Sequence, residues 1–303
     1  MNPLTTPIVV SIFSILLISS VSMPANQDQQ GYTEVSGQSE NFLRVMTFNI
    51  RFDNPADGEN AWENREEFVA STIRLHQADV IGVQEALKHQ IEDLTDQLPE
   101  MSWVGKGRNK DGGGEYSAIL YSSERLEMLQ HDTFWLSETP DIPGSQSWDA
   151  MLPRIATWAK FRDVETNKEF LVLNTHFDHR GPKARVESAR QIMDTVSDIA
   201  DGNPIIVMGD LNTTENDEPY SVLSENSLPD GRKLLDGFYH SKYGHHGPLS
   251  TWTGFTNIVP DRRIDYIFVS EDIAVRQHAA LADQSEGRFP SDHLPVLAEI
   301  ELP

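Results

Sequence analysis

Residues 203–214, NPIIVMGDLNTT, join an apolar run to a polar turn. Residues 205–208 are all apolar and lead directly into Gly-Asp-Leu-Asn. A continuous apolar run of this length is typical of a strand that is covered on both faces. Asp210 and Asn212 then stand at the end of that strand. They form either a turn, because such side chains hydrogen-bond nearby backbone, or part of a functional site, and the rest of the chain must decide.

Further apolar runs are typical of strands, and between some of them apolar residues recur at the three- and four-residue steps of a helix. The strand-like runs are 43–50, 79–85, 116–121, 155–161, 169–177, 204–209, 263–270 and 293–302. Helical spacing occupies 65–75, 87–98 and a segment that begins at Pro182. The pattern predicts one α/β domain over residues 41–303, with two packed sheets between helices.

The N-terminus differs from the rest of the chain. Residues 1–25 contain no Lys, Arg, Asp or Glu and include an apolar run, 8–18, that is too short to span a bilayer. Small residues follow it, so we expect a signal peptide over 1–25 and export to the periplasm or the medium. Residues 26–40 are polar and are expected to form a linker. The alternatives are an uncleaved anchor or a buried first strand, because the leader has no basic residue before its apolar run.

Composition restricts the chemistry and the partners. The chain has 47 acidic and 24 basic residues, a formal charge of −23, and no cysteine. Such a charge disfavours tight binding of duplex DNA, although a local basic segment such as 179–185 remains compatible with phosphate binding. That segment either steers a phosphate group or is a solvated helix N-terminus. The absence of cysteine excludes disulfides, thiolate metal sites and a cysteine nucleophile.

Acid, amide, phenol or imidazole side chains stand at the ends of the predicted strands. They are Asn49, Glu85, Glu115, Tyr116, Asn174, His176, Asp178, His179, Asp210, Asn212, Asp265, Asp292 and His293. Each one alone is explained by a turn, a helix cap, an ion pair or a satisfied core histidine. Their combination is more informative, because independent turns need not all choose acids, amides and imidazoles.

The combination has a chemical use. Carboxylates that lie close together raise one another's pKa unless a cation compensates. Oxygen ligands without sulfur favour Mg²⁺, with Mn²⁺ or Ca²⁺ as alternatives. Histidines beside the metal would move protons or stabilise negative charge, and we expect Asp265 to orient His293 and Glu115 to orient His176. Since no Ser or Cys lies in a nucleophile motif, water is the simplest nucleophile, and the set predicts metal-assisted hydrolysis of a phosphoester.

Seven short motifs carry a resemblance to a known family. TFNI, VQE, EYSAILY, NTH, GDLN, RIDYIF and SDHLPV occur in the order typical of the endonuclease/exonuclease/phosphatase (DNase I-like) superfamily, and the chain resembles that superfamily over residues 44–301. The segments NIRFDNP and NTHFDHRG look like those of exported bacterial members related to the deadenylase group. The resemblance implies a four-layer α-β-β-α sandwich of two packed mixed sheets, with residues 41–303 as the catalytic domain.

The resemblance also implies roles for individual residues. Asp210 resembles the residue that orients or deprotonates the attacking water, and His293 the histidine that binds the scissile phosphate. Arg51 takes a position where the abasic-site branch has an acid, so it either faces phosphate or is a solvated surface residue. The full assignment is metal binding for Glu85, Asn49 and Asp292; catalysis for Asp210, His293, His176, Asp265, Asn212 and Tyr116; substrate phosphate for Arg154, Asn174 and Arg51; and support from Glu115.

Three functions fit these observations. The first is a Mg²⁺-dependent phosphodiesterase or phosphatase that acts on a small or lipid-linked phosphoester, which the acidity and the expected export favour. The second is a secreted nuclease on RNA or single-stranded DNA, including a 3′-5′ RNA exonuclease of deadenylase type; Trp252 would then stack on a base, or it simply packs. The third is a non-catalytic phosphate-binding module, which is disfavoured because the metal acids and both histidines are all present.

Overall fold

The computed structural model of the protein describes residues 42–303. The expected signal peptide, 1–25, and the expected linker, 26–40, lie outside the described residues. All described residues fall in one compact unit, Asn41–Pro303. A search of the described part of the chain finds no helix with both the length and the apolar character needed to cross a membrane.

Strands and helices alternate in the first part of the chain, and strands dominate the middle. Within residues 42–303 the strands are β1 (Leu43–Asn49), β2 (Val80–Ala86), β3 (Met101–Val104), β4 (Tyr116–Ser122), β5 (Leu126–Trp135), β6 (Ile155–Asp163), β7 (Glu169–His176), β8 (Ile205–Asp210), β9 (Leu234–Asp236), β10 (His245–His246), β11 (Asp265–Ser270), β12 (Ala274–Ala280) and β13 (Val296–Glu301). The α-helices are α1 (Glu66–His76), α2 (Lys88–Gln97), α3 (Pro182–Ala200), α4 (Glu218–Glu225) and α5 (Gly237–His240), and 3₁₀ turns occupy Pro55–Asn60 and Trp62–Asn64.

The strands form two mixed sheets. The first has the order β10-β12-β13-β1-β2-β4-β3, and the second has the order β5-β6-β7-β8-β11-β9. β1 runs parallel to β2 and β7 runs parallel to β8, whereas β11 is antiparallel to β8. A parallel neighbour requires a crossover connection, and α1 and α3 supply it in the two sheets.

Alternate residues of the central strands pack into different layers. Along β8, Ile206 and Met208 lie in a cluster shared by both sheets, whereas Ile205 and Val207 pack with residues of α3 and α4. A third cluster joins the first sheet to α1 and α2. The continuous apolar run at 205–208 is therefore explained by burial on both faces. Three apolar layers between two sheets and two helical layers confirm the predicted four-layer α-β-β-α sandwich.

A polar contact in the middle of the molecule ties the two sheets together. Asn174 on β7 is 0% exposed, and its amide nitrogen donates to the carbonyl oxygens of Val83 (2.9 Å) and Ala118 (2.8 Å) in the other sheet. Its amide oxygen accepts from the Gln84 side chain at 2.7 Å. The prediction that Asn174 binds substrate phosphate is wrong, because both sheets consume its hydrogen-bonding groups. Gly82 makes room for it: a Cβ there would lie 2.6 Å from Asn174 Cγ.

Candidate active site

Three neighbouring strands of the second sheet place titratable side chains in one row. β7 ends at His176, β8 ends at Asp210 and β11 begins at Asp265. In the register of the sheet His176 lies opposite Asp210, and Asp210 lies opposite Asp265. Since adjacent strands are about 4.8 Å apart, backbone pairing alone brings the three side chains together. We call them the catalytic row.

The row is completed by His293, which comes from the loop before β13. Its Nδ1 donates to both oxygens of Asp265, at 2.9 and 3.1 Å, and its Nε2 lies 3.8 Å from Asp210 Oδ2. Burial lowers the pKa of His293, but the charges of Asp265 and Asp210 more than offset this and hold the pKa well above its ordinary value. The predicted pairing of Asp265 with His293 is present, and it yields a buried imidazolium between two carboxyl groups.

Asp210 is held by amide groups on either side. Asn49 Nδ2 donates to Asp210 Oδ2 at 2.9 Å, and the Asn212 backbone N–H donates to Asp210 Oδ1 at 2.9 Å. Burial, reinforced by the charge of Asp265, raises the pKa of Asp210 to about 7. Asn212 has a φ of 47°, a left-handed conformation that Asn adopts more readily than most residues. The stretch GDLN is thus both a turn and part of the candidate site.

His176 is neutral, whereas His293 is protonated. Its Nε2 accepts from Asn212 Nδ2 at 2.9 Å and lies 3.3 Å from Asp210 Oδ2. Burial, together with the nearby charge of Arg154, holds the pKa of His176 well below its ordinary value. The two imidazoles therefore differ in protonation state at neutral pH. When the environment of a site drives the pKa values of two groups apart in this way, the groups can take different chemical roles.

Glu115 does not pair with His176, so that prediction is wrong. The Arg108 guanidinium donates to Glu115 Oε2 at 2.6 Å, whereas the Nε2 of His176 faces Asp210 and Asn212. Burial raises the pKa of Glu115 and the charge of Arg108 opposes the shift. Glu115 instead supports the site by fixing Arg108 beside it.

Tyr116 lies behind the site. Its hydroxyl donates to the Gly112 carbonyl oxygen at 3.2 Å, and its ring packs edge-to-face on Trp103. It borders a small void with Arg154 and His176 but does not line the larger cavity that His176, Asp210 and His293 share. The structure therefore does not bring the predicted catalytic phenol to the cavity.

The predicted metal residues lie together on the other side of Asp210. Asn49 Nδ2 also donates to Glu85 Oε1 at 3.1 Å, while Asn49 Oδ1 accepts from the Arg51 backbone at 3.0 Å. Asn49 thus presents its nitrogen, and not the predicted oxygen ligand, to the carboxylates. Glu85 sits in a bulge of β2 with a φ of 61°, a strained conformation of the kind found at functional sites. Burial raises the pKa of Asp292, and the charge of Glu85 adds to the rise.

A second set of residues also has the spacing of a metal site. Ligand atoms of Asp210, Asp265 and His293 all lie within 4.8 Å of one another. In this set His293 Nδ1 and both Asp265 oxygens are already bonded to each other, and a protonated imidazole is no ligand. Glu85 and Asp292 are both acidic, and the charge of Glu85 helps to raise the pKa of Asp292, so a hard cation would relieve repulsion at this pair.

These residues surround one cavity of about 470 Å³, lined by Arg51, Phe52, Glu85, Glu115, Leu152, Arg154, His176, His179, Asp210, Asn212, Trp252, Arg262, Ile264, Asp292 and His293. Arg51 is held at its rim by Asp57, at 3.0 and 3.2 Å. Arg154 is 5% exposed, and its Nε and Nη1 have no hydrogen-bond partner among the described residues. The guanidinium groups of Arg51, Arg154 and Arg262 line the cavity and suit an anionic substrate.

Several wall residues were not predicted from the sequence. Phe52, Leu152, Arg262 and Ile264 were not assigned to the site, because an apolar side chain or a single arginine carries no catalytic signature. Two of them nevertheless lie inside quoted motifs, Phe52 in NIRFDNP and Ile264 in RIDYIF. His179 was named among the strand-end residues but given no role, although it opens the basic segment 179–185 three residues after His176 of the NTH motif. Trp252 lines the cavity, with the Arg262 guanidinium 5.4 Å from the centroid of its ring.

Two solved structures from Bacteroides species are similar to this chain. The endonuclease/exonuclease/phosphatase from Bacteroides vulgatus is 39% identical, with a TM-score of 0.82 over 86% of this chain and 99% of that one. The mannosyl-6-phosphatase from Bacteroides thetaiotaomicron is 34% identical, with a TM-score of 0.78 over 85% of this chain and 99% of that one. Both share the sandwich over nearly their whole length.

A more distant similarity extends to the deadenylase group, as the sequence motifs predicted. The 3′-5′ exoribonuclease subunit Ccr4 of Mycosarcoma maydis is 22% identical over 86% of this chain, and the chain spans 50% of its length. Against a longer mimivirus relative the chain spans 39%. The family model described as "Endonuclease/Exonuclease/phosphatase family" matches residues 46–293. With the sandwich, the catalytic row and these similarities in agreement, the chain belongs to the Endonuclease/Exonuclease/phosphatase family.

Proposed function

We propose that the protein hydrolyses the phosphoester of a small phosphorylated molecule, with water as the nucleophile and Mg²⁺ as the bound metal. The observation that carries the proposal is the catalytic row, completed by His293. His176 and Asp210 of the row, together with His293, line a cavity that Arg51, Arg154 and Arg262 also line. The 34% identical mannosyl-6-phosphatase supports a small phosphorylated substrate.

Glu85 and Asp292 are the residues that would hold the metal. Their carboxylates are close enough for the charge of Glu85 to raise the pKa of Asp292, and a hard divalent cation relieves that repulsion. When bound, the cation would polarise a phosphoryl oxygen and lower the pKa of a bound water.

The protein's own groups supply the remaining chemistry. Asp210 in its ionised form takes a proton from the attacking water as the new oxygen–phosphorus bond forms. The bond from phosphorus to the leaving oxygen breaks, and that oxygen is protonated from solvent to give an alcohol. The imidazolium of His293, oriented by Asp265, stabilises the negative charge on the phosphoryl oxygens. Neutral His176 holds the Asn212 amide in position.

A nuclease is the second candidate, and one observation favours it. Trp252 offers a ring on the cavity wall, with Arg262 beside it, and aromatic rings bind the bases of single strands. The similarity to an exoribonuclease subunit points the same way. The formal charge of −23 opposes it, because an acidic surface repels a polyanion.

The test is a comparison of substrates under one set of conditions. We would measure hydrolysis of mannose 6-phosphate, p-nitrophenyl phosphate, bis(p-nitrophenyl) phosphate and a single-stranded RNA, with Mg²⁺ and with EDTA. Asp210→Ala is the inactive variant, and Asp198→Ala, on the exposed face of α3, is its matched control. We expect Mg²⁺-dependent cleavage of small esters that Asp210→Ala abolishes. Cleavage of RNA alone would establish the nuclease, and binding without cleavage would establish a phosphate-binding module.

We also propose export by residues 1–25, which the composition of that segment supports. A fusion of residues 1–25 to alkaline phosphatase, an enzyme that needs an oxidising compartment, is expected to be active in a bacterial host. A fusion that remains inactive and cytoplasmic would reject the leader.

A further inference from the structure

Asp178 clamps two loops together beside the cavity. The residue is 1% exposed. Its Oδ1 accepts from the backbone N–H groups of Arg180 (2.9 Å) and Gly181 (2.7 Å), at the start of α3. Its Oδ2 accepts from the backbone N–H groups of Met151 (3.0 Å) and Leu152 (3.3 Å). One buried carboxylate therefore fixes the segments that carry Arg154 and His179.

Asp149 fixes the same two segments a second time. Its carboxylate accepts from the backbone N–H groups of Lys183 (3.2 Å) and Ala184 (2.7 Å) in the first turn of α3. Gly181 allows this approach, because a Cβ there would lie 2.6 Å from the Asp149 carbonyl oxygen. The wall formed by these segments is thus held by backbone contacts on both sides and is pre-organised for a ligand.

The wall presents a defined pair of donors. Arg154 Nη2 lies 3.0 Å from His179 Nδ1. A guanidinium can only donate, so Nδ1 accepts and the proton of the neutral ring is on Nε2. Burial and the charge of Arg154 lower the pKa of His179, which keeps the ring neutral. His179 is an exposed cavity-lining residue, so its Nε2–H is available to a substrate.

Arg154, next to His179, has N–H donors that make no hydrogen bond within the described residues. Its Nε and Nη1 are buried without a hydrogen-bond partner among the described residues. The nearest carboxylate, Asp178, is 3.7 Å from Nε and gives its oxygens to the four backbone N–H groups. Arg154 also borders a void with His176, so its charge lies next to the catalytic row. A buried cation with unpaired donors points to an anionic oxygen as its partner.

A phosphomonoester has one more non-bridging oxygen than a phosphodiester, and at neutral pH it carries a second negative charge. His293 and the cation that Glu85 and Asp292 would hold can serve the oxygens common to both. We propose that Arg154 and His179, positioned by Asp178, bind the additional oxygen, so that the site selects phosphomonoesters over phosphodiesters. This inference rests on the proposed function and names the ester class of its substrate.

The test measures kcat and KM for p-nitrophenyl phosphate and for bis(p-nitrophenyl) phosphate. We expect the wild-type protein to prefer the monoester. His179→Ala should lower kcat/KM for the monoester about 10- to 100-fold, mainly through KM, since it removes a hydrogen bond to a charged oxygen. Its diester kinetics should not change. His179→Gln, which keeps an N–H donor, should recover part of the loss, and His131→Ala, at an exposed position of β5, is the matched control.

Asp178→Asn tests the positioning role. If Asp178 acts by positioning Arg154 and His179, the double variant Asp178→Asn/His179→Ala should lose no more monoester activity than the less active of the two single variants. Additive losses would reject that role. Equal losses on both esters in His179→Ala, unchanged monoester kinetics, or a wild-type preference for the diester would overturn the ester selectivity while leaving phosphoester hydrolysis intact. Full activity in Asp210→Ala would instead reject the proposed function.

Discussion

Asp265 acts on His293 through two hydrogen bonds to one ring nitrogen, at 2.9 and 3.1 Å. Asp265→Asn keeps the size of the side chain but replaces one acceptor oxygen with an NH₂ group. Because His293 Nδ1 also donates, an N–H facing it would remove the hydrogen bond that orients the ring. We expect kcat to fall by about 10²- to 10³-fold, the cost of losing one preorganised charge-stabilising donor. Asp198→Asn is the control. A kcat within the range of that control would show that His293 does not depend on Asp265.

His278 on β12 is a residue whose protonation opposes folding. Its Nδ1 lies 2.9 Å from His245 Nδ1, and His245 Nε2 lies 2.9 Å from the Pro248 carbonyl oxygen. The carbonyl requires the proton on His245 Nε2, so His278 donates from Nδ1. Its buried Nε2 then has no hydrogen-bond partner within residues 42–303. Burial, with the charges of His245 and Arg263, lowers the pKa of His278 from 6.5 to about 3.

The sign of the resulting pH dependence follows from this lowered pKa. Between pH 6.5 and 3 the unfolded chain binds a proton at His278 that the folded protein does not. Stability is therefore full above pH 6.5 and falls on acidification, by about 1.4 kcal/mol per pH unit from this residue. His278→Gln should remove that share of the slope in urea unfolding at pH 7.5, 6 and 5. His246→Gln, at an exposed neighbour, should keep it; identical slopes in both variants would contradict the assignment.

At the scale of elements, the contact that Asn174 makes between the two sheets depends on a glycine, because any side chain at position 82 would overlap with Asn174. Gly82→Ala would place a Cβ 2.6 Å from Asn174 Cγ and 2.9 Å from Met208 Cε. Overpacking of this kind costs about 1–3 kcal/mol, which urea unfolding would measure. In an Asn174→Ala background the extra cost of Gly82→Ala should shrink, because the main obstacle is gone. A cost that is equal in both backgrounds would place the strain elsewhere.

The elements that could be predicted are those with a clear apolar pattern. β1, β2, β4, β6, β7, β8 and α3 were all expected close to their observed bounds, because buried strands and amphipathic helices require apolar residues at fixed intervals. β5 was missed because residues 129–132 on it are largely exposed, as is usual for an edge strand. β12 was missed because its sequence, AVRQHAA, shows no regular alternation.

The candidate site also contains residues that could be predicted from the sequence and residues that could not. The strand-end residues identified the catalytic row, because the ends of neighbouring strands meet. The partner of Glu115 and the burial of Asn174 could not be foreseen. They depend on which segments face each other across the loop 108–115 and across the two sheets, and a single sequence does not record those distances.

At the scale of the whole molecule, metal binding should be visible in stability. A ligand that binds only the folded state stabilises it by about 2.7 kcal/mol at a hundredfold excess over its dissociation constant. Millimolar Mg²⁺ should therefore raise the melting temperature of the wild-type protein. Glu85→Gln should lose the Mg²⁺-dependent part of that rise, and Asp198→Asn should keep it. A melting temperature that is independent of Mg²⁺ in the wild type would count against a preformed site at Glu85 and Asp292.

The register of β7, β8 and β11 has a consequence for how the family can diversify. The spacing of His176, Asp210 and Asp265 is set by backbone hydrogen bonds between strands, which do not depend on the identity of the side chains around them. Other residues that line the cavity, including Leu152, His179, Trp252 and Arg262, lie outside these strands. Mutations in the loops can therefore change the substrate during evolution while the reacting groups keep their separation. For the same reason, the loops can be varied by design without changing the spacing of His176, Asp210 and Asp265.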